Sequence, residues 1–230
     1  MSAEPKKNEP ASRLKYQLER NRTARLASDK RNSDPRLRAL QAWQAKRLAA
    51  GYQDLQQIPK NKPACDFFLY ELYGDQDFSK RDHDVEKIYP IMVRVLPGMV
   101  LGTVSRAVEL NALSHELDLA MVDGLPAGVL TEADYARAYR ETAPETKRRY
   151  QLALILSLGR ELARVVKIPL MYKLLQMCRW PAKMAGLGAL QAFLERGFAA
   201  FVTLDGAKPF LLEMLHREKA FMERCLRPAR

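Results

Sequence analysis

Apolar residues recur along most of this chain at three- and four-residue spacing, the period of a helix face, and no stretch alternates convincingly with period two. Residues 12–31 place Leu14, Leu18 and Leu26 among many arginines, which predicts a helix whose apolar stripe is too narrow to be buried. Asp34 followed by Pro35 reads as a helix start, because the carboxylate can cap and the proline lacks an N–H that would go unpaired there. Leu37, Leu40, Trp43 or Gln44, Leu48, Tyr52 and Leu55 then trace a better stripe, ended by Pro59 and Pro63. Asp66 to Tyr73 predicts a short helix closed by Gly74. Ser79 and Asp82 have the spacing of a capping box opening a helix through Ile88, which Pro90 should kink or break and Pro97-Gly98 should end.

A long apolar helix follows from about Met99 to Val122, then a loop carrying Gly124, Pro126 and Gly128. Thr131 and Asp134 form a second box-like start, for a helix to about Thr142. Further helices are predicted over 145–167, between Pro169 and Pro181, over 184–204 and over 209–226. The 184–204 segment carries Gly186, Gly188, Ala192, Gly197 and Ala200, small residues that permit close helix approach. The expectation is an all-α protein of eight to ten helices. A disordered tail (1–11) and a basic helical arm (12–33) should precede one multi-helix, bundle-like domain (34–228).

Charge changes this picture. The 230 residues carry 38 Lys and Arg against 27 Asp and Glu, a formal net charge of +11, and it is unevenly spread. Residues 1–62 hold 15 basic and 6 acidic side chains, residues 63–146 hold 7 and 15, and residues 147–183 hold 9 and 1. The acidic middle and the second basic block can pack together and screen each other, which leaves the first 62 residues as the source of an outward positive field. Arg20, Arg22, Arg25 and Arg31 in the arm, and Lys173, Arg179 and Lys183 among Leu, Met and Trp residues, are the candidate partner-binding cations.

The segment Phe67-Phe68-Leu69-Tyr70-Glu71-Leu72-Tyr73-Gly74, with Asp77-Phe78-Ser79 and Arg81-Asp82 after it, resembles bacterial proteins named for an FFLEELY motif. Tyr70 stands where that motif has glutamate. The likeness extends from about residue 35 and implies a helical bacterial protein of the cytosol, without implying any catalytic residue. Read physically, the segment is a buried packing element, in which Glu71 needs a cationic partner such as Arg81 or Arg106.

Catalytic patterns fail one after another. Gly186 and Gly188 begin a GxGxxG run that lacks its third glycine and its preceding strand, and no GxxxxGK[ST] exists. His115-Glu116 has Leu119 where a zincin needs histidine, and Glu213 to His216 is a single ExxH. His83-Asp84 lacks an earlier histidine. No metal and no cofactor is therefore expected. Asp82 and Glu86 share a helix face and, with Glu109 and Asp118 across a cavity, could form an acidic site; this is the alternative, enzymatic or ligand-binding reading. Cys65, Cys178 and Cys225 are odd in number and lack CxxC spacing, the opening residues lack an apolar signal core, and no apolar run reaches bilayer length. The expected protein is cytoplasmic, with a peripheral position at a membrane open to it. It should be a non-enzymatic interaction or regulatory protein whose basic surfaces engage an acidic protein, an anionic surface or, through the arm, nucleic acid without sequence specificity.

Overall fold

The computed structural model describes residues 8–72, 79–204 and 207–227, with the side chains of 8, 72 and 79–83 outside the description. Among the described residues every regular element is helical and there is no strand, as the spacing of apolar residues requires. The elements are α1 (Asn8–Ala24), α2 (Pro35–Gly51), α3 (Gln53–Gln57), α4 (Lys62–Asp66), α5 (Ser79–Val95) and α6 (Gly98–Val122). They continue as α7 (Glu132–Thr142), α8 (Glu145–Val165), α9 (Met171–Met177), α10 (Arg179–Met184), α11 (Gly188–Thr203) and α12 (Ala207–Leu226). Among the described residues the helices exceed the expected eight to ten, because α3 and α10 are short pieces separated from α2 and α9.

Local signals position the main helices. The Asp34 carboxylate accepts from Arg36 N at 2.8 Å with Pro35 in the first turn of α2. Thr131 and Asp134 close a reciprocal capping box on α7. Pro97 stands at the start of α6, and Gly128 takes a left-handed φ of 113° in the loop after it. Two boundaries differ from expectation. Pro90 lies inside α5, which runs on to Val95. The predicted helix from 184 begins instead at Gly188, after Gly186 takes a φ of 74° that interrupts it.

α6 is the central element, with α1, α2, α7 and α8 packed on it, and α8 bridges it to α12. One core gathers Tyr52, Phe68, Leu69, Phe201, Phe210 and Met214; a second stacks Trp43 on Tyr135 at 4.2 Å beside Phe221 and Met222. The first helix is part of this body. Leu14 is fully buried and Leu18 nearly so, against Met92 and Leu101, and the Tyr89 hydroxyl donates to Ala11 O at 3.1 Å. The expectations of an unburied stripe and of disorder over residues 8–11 are therefore corrected, with α1 starting at Asn8; residues 1–7 of the expected tail lie outside the description. Two leucines suffice because polar side chains on either side of them also find partners on α6.

The aromatic motif is a close-packed junction. Phe67–Leu72 winds as a π-helix continuing α4, and Phe67, Phe68 and Leu69 are buried while Tyr70 faces solvent. A helix apolar all round was expected; the wider turn lets three apolar side chains point inward and releases Tyr70. A Cβ on Gly197 would come within 2.7 Å of the Phe67 ring, so this glycine of α11 permits the contact. Gly74, and with it the expected helix closure, lies outside the described residues.

Candidate functional site

Three of the four arginines expected on an outward arm make contacts beyond their own helix, and Arg22 stays on its surface. Arg20 donates twice to Glu116 of α6, both bonds 2.7 Å. Arg22 is held by Glu19 on its own helix, with a weaker contribution from Glu86 on α5. Arg25 donates to Asn21 and Asn111 Oδ1, and Asn111 returns a 3.0 Å bond to Asn21. Arg31 pairs with Asp29 at 2.7 Å and reaches Leu119 O. Buried His115 places Nε2 2.7 Å from Asn32 Oδ1, while both Nδ2 bonds of Asn32 run to backbone carbonyls, which makes the imidazole the donor. Burial, followed by the Arg25 charge, lowers its pKa to about 4. This polar seam locks α1 to α6, and of the four arginines Arg20 is met by an acid from another helix, while Arg22 and Arg31 pair with acids near them in sequence.

Of the acidic residues of the alternative reading, Glu109 and Asp118 face opposite ways. Glu109 and Asp118 are nine residues apart on α6, about 900° at 100° per residue, and so lie half a turn from one another. Glu109 accepts from the Tyr150 hydroxyl of α8 at 2.6 Å. Asp118 accepts from Gln44 of α2 at 3.0 Å, and burial pushes its carboxyl above the usual range against the pull of Gln44 and Arg148. Glu86 sits on α5, and the side chains of Asp82 and His83 and all of Asp75 and Asp77 lie outside the described residues. Among the described residues no group of His, Cys, Asp and Glu could hold a metal ion. Of the two partners expected for Glu71, the Arg81 side chain lies outside the described residues and Arg106 is taken up elsewhere, by Glu161. Arg196 of α11 holds Glu71 through Nε at 2.6 Å and Nη2 at 2.9 Å. That pair edges a groove of about 440 Å³ floored by Phe67, Ala199 and Ala200.

The second basic block behaves differently. No acidic residue occurs between Glu161 and Glu195, and that interval contains Arg164, Lys167, Lys173, Arg179 and Lys183. Arg179 is neutralised by Glu195 through bonds of 2.6 and 2.7 Å, which lower the Glu195 carboxyl to about 2, so it is a strut and not an outward cation. Gln191 donates to Leu175 O at 2.6 Å, and Tyr172 stacks on Phe198 at 5.4 Å. These contacts fix α9 and α10 onto α11. Arg164, Lys167, Lys173 and Lys183 remain exposed, with no ion pair to any described residue. Internal screening by the acidic middle therefore does not reach them.

Apolar side chains stand among these cations. Leu170 is 71% exposed, Met177 75%, Trp180 71% and Met184 70%. Scattered single apolar residues are ordinary on a surface, but four large ones within fifteen positions make a patch. Cys178 is exposed beside them, whereas Cys65 and Cys225 are buried with thiols pushed up to about 11. Leu170 also has a φ of 65°, a left-handed backbone that favours glycine or asparagine. The combination of cations with Met and Trp was visible in the sequence; its exposure, and the loss of Arg179 to an internal pair, were not.

Residues 23–229 match a family described as a domain of unknown function, DUF8198. No curated protein and no solved structure matches the chain.

Proposed function

The chain belongs to the DUF8198 family, and from that starting point we propose that it is a non-enzymatic interaction protein that engages an anionic partner through the outer face of α9 and α10. One observation carries the reading: Arg164, Lys167, Lys173 and Lys183 lie exposed around Leu170, Met177, Trp180 and Met184, in an interval holding no acid. Cations that are already paired contribute little further attraction, so Arg20, Arg22, Arg31 and Arg179 leave the set of contact residues. The FFLYELY segment supports kinship with the bacterial FFLEELY-motif proteins, and three free cysteines suit a reducing cytoplasm.

Retention of the intact protein on a heparin matrix tests the charge component. The double substitution Lys173→Glu and Lys183→Glu should lower the salt needed for elution far more than Arg20→Gln, whose target is already paired. Equal elution of the double variant and the wild type would overturn the reading.

A further inference from the structure

We infer that the partner is an anionic lipid surface, against which α9 and α10 lie in the plane of the headgroups; this rests on the proposed use of their outer face. Met177, Trp180 and Met184 recur at i, i+3 and i+7 across the junction of the two helices. Cys178 at the junction keeps right-handed helical angles, φ −75° and ψ −10°, and its N–H still bonds to Leu174 O, so the facing carries from one helix to the next. Lys173, four residues before Met177, falls on the same side. The result is an apolar ridge with ammonium groups beside it.

Shape and chemistry favour a bilayer over an acidic protein. A protein partner that contacts Met and Trp anchors normally receives them in a pocket, and its acids must match individual lysines. A lipid interface has neither demand. Its upper acyl carbons accept Leu170, Met177 and Met184 wherever they fall, its phosphates meet lysines at any lateral position, and the indole of Trp180 suits the boundary between the two layers. Two further features agree. Leu170 occupies a left-handed backbone that its side chain makes costly, and that side chain is 71% exposed, so burial in the chain's own core does not offset the strain. The ridge is braced from behind by Arg179–Glu195, Gln191 and the Tyr172–Phe198 stack, which presents it as a formed element and not one that must fold on arrival. Among the described residues no helix is long and apolar enough to cross a membrane, so the contact is one of lying on the surface.

The test is flotation of the full chain with vesicles of equal phosphatidylglycerol and phosphatidylcholine, and with vesicles of phosphatidylcholine alone. Binding is expected to the first and to be weak on the second. Lys173→Glu with Lys183→Glu should reduce it by at least roughly thirtyfold, from about a factor of five per cation at an anionic surface. Trp180→Ala should reduce it by about tenfold or more through the lost apolar contact. A polarity-sensitive dye on Cys178, the one exposed thiol among the described residues, should shift to the blue on binding. Helical circular dichroism confirms that each variant is folded; should Trp180→Ala fail this check, Met177→Ser supplies the same comparison. Binding that is unchanged in these variants, or that leaves the dye in water, overturns the inference. Salt-sensitive retention on heparin that depends on Lys173 and Lys183, with no vesicle binding, overturns the lipid assignment and leaves the proposed function standing for an acidic protein partner. Loss of both overturns both.

Discussion

Replacing Leu14 with alanine asks directly whether the first helix belongs to the cooperative fold. Leu14 is fully inaccessible, and it packs with Leu18, Met92 and Leu101 where α1 meets α5 and α6. The substitution removes three carbons, worth about 2.4 kcal/mol as apolar transfer at roughly 0.8 kcal/mol each. The walls are helices held by other contacts and cannot close fully, so a cavity contribution raises the cost to about 3–5 kcal/mol. In a protein of this size that corresponds to a fall in Tm of about 6–20 °C. Leu26→Ala is the control, since Leu26 is 44% exposed beyond the end of α1 and should cost no more than about 0.5 kcal/mol. Urea unfolding followed by circular dichroism measures both, and amide exchange on α1 and α6 shows whether they open together. A loss below about 1 kcal/mol for Leu14→Ala, with α1 exchanging freely in the wild type, would refute the reasoning and restore a separable arm.

Three other outcomes are expected. The folded-state pKa of His115 is lowered from 6.5 to about 4, so between those values the unfolded chain holds a proton that the folded chain does not. Stability is therefore complete above pH 6.5 and is lost as pH falls towards 4, by about 3 kcal/mol; in His115→Gln this part of the slope should vanish from urea titrations at pH 7 and 4.5. Gly197→Ala should destabilise by about 1–3 kcal/mol, because the new methyl meets the rigid Phe67 ring, itself packed on Phe193 at 5.2 Å, and chevron or thermal data will show it. Leu170→Gly should act in opposite senses, raising thermal stability slightly by relieving the left-handed backbone while weakening vesicle flotation. A loss of stability in that variant would mean that Leu170 serves packing.

The period of the apolar residues and the chemistry of the turns determined that this chain is helical and where several helices begin. Asp34-Pro35, Thr131 with Asp134, and Pro97 act through bonds to residues two to four positions away, so their effect was legible without a fold. Contacts over long separations were not. Glu71 meets Arg196 of α11 while Arg106 pairs with Glu161, and the arm's arginines found Glu116 and Asn111 on α6, because those partners are chosen by how helices stack. Two leucines buried α1 for the same reason: a narrow stripe is enough when the residues beside it are bonded across the interface. The ridge on α9 and α10 shows the converse. Its sequence of Leu, Met, Trp and Lys would serve equally in a core, and only the docking of these short helices edgewise on α11 turned their apolar side chains to water. A residue's neighbours in sequence set its local conformation, but its neighbours in space decide whether it is covered.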